Sequence, residues 1–276
     1  MNKKTKKVII ISLLVASVLA IASAVCLASL IRRDERFDIS KSPATLVATP
    51  DYGQNYVNNL IFLGDFTSFG MIECGVLDGG VESNQVWTGR NGTLPLDYNT
   101  DKTTVVLPEI GEEMLLSKAL SEKKPRYIVI TLGLENGVPY CEKDAFCDYY
   151  GRLIEMIKES SPTTKIILQS ILPVTAKYQL KNKEYSNEKI DLCNTWICEL
   201  AEKHGIRFIN TAEALKDSSG NLAREYATDT GNCPNTEGYK KVLEYIRTHG
   251  YVDYPEGPTQ PPTETPTEQP SETATE

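Results

Sequence analysis

Short apolar runs alternate with amphipathic stretches through the middle of this chain. Residues 59–64 (NLIFLG), 127–133 (YIVITLG) and 165–172 (KIILQSIL) have the length and continuity of strands buried on both faces of a parallel sheet. Residues 207–210 (RFIN) open a fourth, shorter run. Between the runs, apolar residues recur at helical spacing. Residues 112–123 bring Met114, Leu115, Ala119 and Leu120 near one face, and 144–160 do so with Tyr149, Leu153, Ile154 and Ile157. Residues 187–204 align Ile190, Cys193, Ile197, Leu200 and Ala201, and Gly205 follows as a helix stop. Residues 236–249 place Tyr239, Val242, Leu243 and Ile246 inward. Such alternation predicts an α/β fold, a mostly parallel sheet covered by helices on both faces. Ligands bind such sheets outside the carboxyl ends of the strands. The loops after Leu63, Leu132, Leu172 and Ala227 are therefore where chemistry is expected.

Both ends of the chain break this pattern. Residues 1–7 carry four lysines and no acid, residues 8–31 carry no charge, and Arg32-Arg33 follow. A helix over that uncharged run spans roughly 36 Å, enough for a hydrocarbon core of about 30 Å. The lysines orient its N-terminus to the cytoplasm, so residues beyond 33 are expected outside the membrane. A cleaved signal peptide, with Ala22-Ser23-Ala24 as its small-residue site, is the competing reading. Lipidation at Cys26 is disfavoured because Val25 precedes it. Residues 255–276 hold six prolines, six threonines and five glutamates without an aliphatic or aromatic core residue. That composition predicts a disordered, acidic, solvated tail. The resulting layout is a basic segment (1–7), a signal-anchor (8–31), a linker (32–54), one globular domain (55–254) and the tail (255–276).

Charge narrows the function classes. The whole chain has a net charge of −8. Removing residues 1–33 leaves 23 basic against 37 acidic residues, or −14, so neither nucleic acid nor an anionic polymer is an expected partner. The expected partners are the membrane, through the N-terminal helix, and a cell-surface glycan or protein ligand. Only two histidines occur, His204 and His249, and each closes a predicted helix, where a partial positive charge is favourable. Six cysteines lie beyond the anchor: Cys74, Cys141, Cys147, Cys193, Cys198 and Cys233. An even number in an exported domain predicts disulfides, with free buried thiols as the alternative. Their spacing matches no zinc pattern, so neither a metal nor a cofactor is expected.

The carboxyl-end loops carry a damaged set of motifs. Residues 61–71 (IFLGDFTSFGM), 133–137 (GLENG) and 229–239 (DTGNCPNTEGY) resemble, in order, three blocks of the SGNH/GDSL hydrolases. Residues 85–88 (QVWT), 166–170 and 243–251 (LEYIRTHGY) are similar to the extracellular, clostridial type of that family. The resemblance spans about residues 55–251 and implies a three-layer αβα sandwich with a flavodoxin-like sheet. In the family the first-block serine is the nucleophile, and an Asp-x-x-His pair near the C-terminus supplies base and orienting acid. The first-block backbone, a glycine of the next loop and the third-block asparagine form the oxyanion hole. A serine hydroxyl needs such an imidazole to become nucleophilic, and donors aimed at the oxyanion lower the barrier further.

Carried over residue by residue, the chemistry fails. Gly64 and Asp65 match, but Phe66 stands at the nucleophile position, followed by Thr67, Ser68 and Gly70. Aligning 235–239 (NTEGY) puts Cys233 at the histidine and Thr230 at the acid, with Asp229 adjacent. Past Gly133, the third block leaves open whether Glu135 or Asn136 faces the pocket. Ser68 and a Cys233 thiolate are the substitutes to consider, although the acids near Cys233 do not favour a thiolate. The family fold also implies that Cys74 or Cys141 could reach Cys233 and cover the pocket mouth. The expected function is an inactive, membrane-anchored SGNH-like domain that binds a ligand or acts as a scaffold. The alternatives are an acyl-ester hydrolase, of the carbohydrate or wall acetylesterase type, with non-standard residues, and a structural module.

Overall fold

The computed structural model describes residues 37–251 and residue 253. The anchor, the cleavage site, Cys26 and the acidic tail lie outside the described residues. Among those that are described, no helix is long and apolar enough to cross a membrane.

Five parallel strands form the central sheet: β1 (Leu60–Gly64), β2 (Val86–Trp87), β5 (Tyr127–Thr131), β6 (Lys165–Gln169) and β7 (Arg207–Ile209), in the order β2-β1-β5-β6-β7. Strand order reverses after β1, the arrangement of flavodoxin-like folds. In register, Phe62 lies opposite Val86 on one side and Val129 on the other. The apolar runs form central strands because both of their faces are covered, and β5 is buried at every position. Among the described residues seven α-helices flank the sheets: α1 (Gly53–Asn58), α2 (Phe66–Glu73), α3 (Leu116–Lys123), α4 (Lys143–Ser160), α5 (Ala176–Lys181), α6 (Asn187–His204) and α7 (Thr236–Thr248). One face buries Tyr56 and Val57 of α1, Met71 of α2, and Tyr239, Val242 and Ile246 of α7 against Phe62, Val129 and Ile167. On the other side α4 packs between α3 and α6.

Side-chain caps set the helix starts. Ser186 accepts from the Lys189 amide to begin α6, and Asn235 accepts from the Gly238 amide to begin α7. Gly205 takes the left-handed conformation (φ 63°) that ends α6. The expected helix over 112–123 is only half realised. Glu113–Leu115 form strand β4, antiparallel to β3 (Thr104–Val106), with Met114 opposite Val105. Pairing with a β-branched neighbour strand there outweighs the local helical period, and α3 starts at Leu116.

The domain also begins earlier than residue 55: a compact unit starts at Ser40. Within the stretch expected to be linker, Ala44, Leu46 and Tyr52 are buried. Leu46 N–H donates to the Phe208 carbonyl at 2.8 Å and Phe208 N–H donates to Ala44 at 2.9 Å, so the segment covers the β7 edge. Cysteine pairing is corrected as well. All six described cysteines are free thiols. Several sulfurs are directed at oxygens: Cys141 at the Asn136 carbonyl (3.6 Å), Cys198 at Thr45 Oγ1 (3.4 Å) and Cys233 at Tyr239 Oη (2.8 Å). The contact with Tyr239 likewise replaces the expected bridge from Cys74 or Cys141 to Cys233.

Candidate functional site

The loop after β1 turns on three residues. Gly64 is closely surrounded; a Cβ there would strike the Ser68 side chain and the Thr131 carbonyl. Asp65 caps α2, its Oδ1 accepting from Thr67 N–H at 3.0 Å and Thr67 Oγ1 at 2.7 Å. Phe66 follows as the first residue of α2, half-buried. Ser68 and Thr67 are buried, with Ser68 packed beneath Gly64. Ser68 therefore offers no hydroxyl to a ligand, and the substitution considered from sequence is not available there.

Burial raises the Asp65 carboxyl from 3.8 to about 6, against the hydrogen bonds from Thr67, with Glu135 adding to the rise. A folded-state value above the unfolded one means that this group's contribution to stability is complete below about pH 4 and is lost as pH rises through about 6. The shift of about two units corresponds to ~3 kcal/mol. Urea unfolding at pH 4, 5.5 and 7 is expected to show wild type losing roughly 2–3 kcal/mol relative to Asp65→Asn across that range. Asparagine keeps the cap without the charge. A difference between the two proteins that does not change with pH would contradict the assignment.

A cavity of about 340 Å³ opens at the carboxyl ends of β1 and β5, lined by Phe66, Asn91, Gly92, Thr93, Leu134, Glu135, Tyr178, Tyr185 and Asn232. It lies at the switch point of the sheet, where this architecture places ligands. Of the expected pocket residues, the structure brings Phe66 and Glu135 to it. Asn136 does not line it, whereas Glu135 of the same loop does. The carboxylate of Glu135 is exposed and makes no hydrogen bond or ion pair among the described residues. Gly92 comes from the loop after β2, and its N–H already donates to the Gly89 carbonyl at 3.1 Å. Gly133 (φ 113°) packs against Phe146 rather than the cavity.

The last loop is arranged differently from the expectation. Asn232 lines the cavity, whereas Cys233 Sγ lies 2.8 Å from Tyr239 Oη, which donates in turn to the Thr67 carbonyl at 2.7 Å. Burial pushes the Cys233 thiol up to about 11, only partly offset by Tyr239, so it is a neutral thiol at pH 7. Asp229 lies at a second cavity of about 470 Å³, with Thr175, Lys177, Asp217 and Arg224. Thr230 is exposed, and its Oγ1 lies 2.9 Å from Thr228 Oγ1. His204 Nδ1 lies 2.8 Å from Glu155 Oε1, and the His249 ring stacks on Tyr245 at 3.7 Å. Neither histidine lines the cavity.

The sequence had indicated the loop after β6 without naming its residues. It leads into α5 and the turn at Lys183–Tyr185, which contribute Tyr178 and Tyr185, packed edge-on at 5.7 Å. Two tyrosines seven residues apart in a polar stretch at a carboxyl-end loop were the available signal. Asn91, at φ 59°, is another residue the motifs did not point to; asparagine tolerates this left-handed conformation better than most.

No curated protein matches the chain. Among solved structures, one from Streptococcus pneumonia named for platelet activating factor is 20% identical, with 82% of this chain and 97% of that one covered and a TM-score of 0.48. A GDSL-like lipase of Bacteroides thetaiotaomicron is 17% identical (67% and 83% covered, TM-score 0.43). A carbohydrate esterase family 3 protein of Talaromyces cellulolyticus is 15% identical (68% and 93% covered, TM-score 0.42). The profile of the GDSL-like lipase/acylhydrolase family matches residues 79–241, more than half of the chain although it starts beyond Phe66, and on that match the chain belongs to this family.

Proposed function

We propose that this chain is a membrane-anchored SGNH/GDSL-type domain that has lost ester hydrolysis and keeps its pocket to bind a ligand outside the cell. The observation carrying the proposal is Phe66: in the cavity lining, directly after Gly64-Asp65, stands a phenyl ring at the position where the family resemblance expects a nucleophilic hydroxyl. The rest of the site supports it. Cys233 is a neutral thiol turned to Tyr239. The donors of an oxyanion hole are compromised too. Gly92 N–H is engaged within its own turn, and Glu135 brings a carboxylate rather than a donor to the cavity lining. Anchoring by residues 8–31 follows from their uncharged run between lysines and paired arginines.

Purified protein incubated with p-nitrophenyl acetate and acetylated sugars is expected to release product at the rate of buffer alone. Turnover above that rate, abolished by Ser68→Ala or Cys233→Ala, would overturn the inactive reading.

A further inference from the structure

We propose that the cavity at the ends of β1 and β5 binds an organic ammonium cation, held by the Glu135 carboxylate among the rings of Phe66, Tyr178 and Tyr185. This names the ligand class for the binding reading above and rests on it.

Three aromatic rings contribute to the lining, and aromatic faces carry the negative end of the ring quadrupole. A cation within about 6 Å of such a face is attracted, more strongly once water is displaced. Glu135 adds a carboxylate, and among the described residues it has no counter-charge and no lysine, arginine or histidine lines the cavity. Further acids reinforce the sign. Burial is the main reason the Tyr178 and Tyr185 phenols are raised, and Glu184 at both and Glu135 at Tyr185 add to the rise.

A ligand that fills the cavity strips water from Glu135. A cation replaces the lost hydration with an ion pair, a neutral ligand leaves the carboxylate partly unsatisfied, and an anion is repelled. Asn91, Thr93 and Asn232 are neutral and can orient a hydroxyl or carbonyl attached to the cationic group without altering this preference. The volume, about 340 Å³, suits a group of trimethylammonium size with a short substituent. The neighbouring cavity differs in kind. It mixes Lys177 and Arg224 with Asp217 and Asp229, and so favours neither sign.

The experiment is a calorimetric titration of the full chain with choline and with 3,3-dimethylbutan-1-ol, which has the same shape without the charge. Choline is expected to bind about tenfold or more tightly, because attraction to both Glu135 and the ring faces depends on its positive charge. Glu135→Gln, at an exposed position, should weaken choline by about five- to tenfold and should not weaken the alcohol, which gains nothing from the carboxylate. Tyr185→Leu should weaken choline by about threefold or more. Equal affinity for the pair, no binding of choline, or indifference to Glu135→Gln would each overturn the proposal. Glucosamine and N-acetylglucosamine repeat the comparison on a sugar. Preference for the charged form supports the proposal, and preference for the uncharged one overturns it in favour of a neutral glycan.

Acetylcholine separates the two readings. If it binds and is not cleaved, both stand. If it binds and is hydrolysed, the inactive reading falls and the cation site remains. If neither choline nor acetylcholine binds and no ester is cleaved, only the cation site falls.

Discussion

Asn194→Leu is expected to remove about 3–5 kcal/mol of stability, a loss far beyond that of an ordinary core polar change. Asn194 is buried on α6. Its Oδ1 accepts from the Ile171 amide at 2.7 Å and its Nδ2 donates to the Ile171 carbonyl at 3.0 Å. One side chain thus satisfies both backbone groups of a residue that has left β6 and has no strand partner. Leucine matches the size of asparagine roughly, but leaves a buried donor and a buried acceptor empty, each costing about 1–3 kcal/mol. Asn187 does the same for Val174, at 2.9 and 2.7 Å, so α6 clamps the post-β6 loop at two points. That loop feeds α5 and Tyr178. Chemical denaturation should therefore report the loss of stability, and ligand binding in the cavity should weaken alongside it. An Asn194→Leu protein within 1 kcal/mol of wild type would show that another partner takes over Ile171.

Rebuilding an esterase is expected to fail until the oxyanion site is repaired. The triple variant Phe66→Ser, Thr230→Asp, Cys233→His restores the residue types of the nucleophile, acid and base. Phe66→Ser with Cys233→His alone should do less, since the imidazole would lack its orienting carboxylate. Even the triple variant should hydrolyse acetyl esters slowly, because Glu135 would still face the tetrahedral intermediate with negative charge. Adding Glu135→Asn is expected to raise kcat/KM by about 10²-fold or more, the scale of one oxyanion donor. Kinetics on p-nitrophenyl acetate decide it. An equally active triple variant with Glu135 retained would mean that the carboxylate points away from the reacting carbonyl. Residual weakness of the quadruple variant has a structural source: the residue 233 side chain is directed at Tyr239, so an imidazole there must turn to reach the cavity.

Much of the architecture was legible along the chain. Strands β1, β5, β6 and β7 lie within the apolar runs, and α4, α6 and α7 match their expected spans closely. These elements bury a continuous run or a full helical stripe, so local pattern and tertiary packing ask for the same thing. The Gly-Asp-Phe turn was equally readable, since Gly64 leaves no room for a side chain and Asp65 caps the helix that follows. The misreadings occur where the two disagree. Glu113–Leu115 have helical spacing but pair with β3, and residues 44–52 look like a linker but cover the β7 edge.

The candidate site divides along the same line. Covalent order alone placed Phe66 after Gly64-Asp65 and Cys233 before Pro234-Asn235, and local motifs singled out these positions by resemblance. Which side chains meet in the cavity was a matter of tertiary structure. Glu135 rather than Asn136 lines it, Asn232 rather than Cys233 reaches it, and Tyr178 and Tyr185 come from a loop with no motif. The physical reason is distance along the chain. Block motifs encode the turn each residue makes with its neighbours, whereas the cavity is formed by five loops that meet only after the parallel strands have paired.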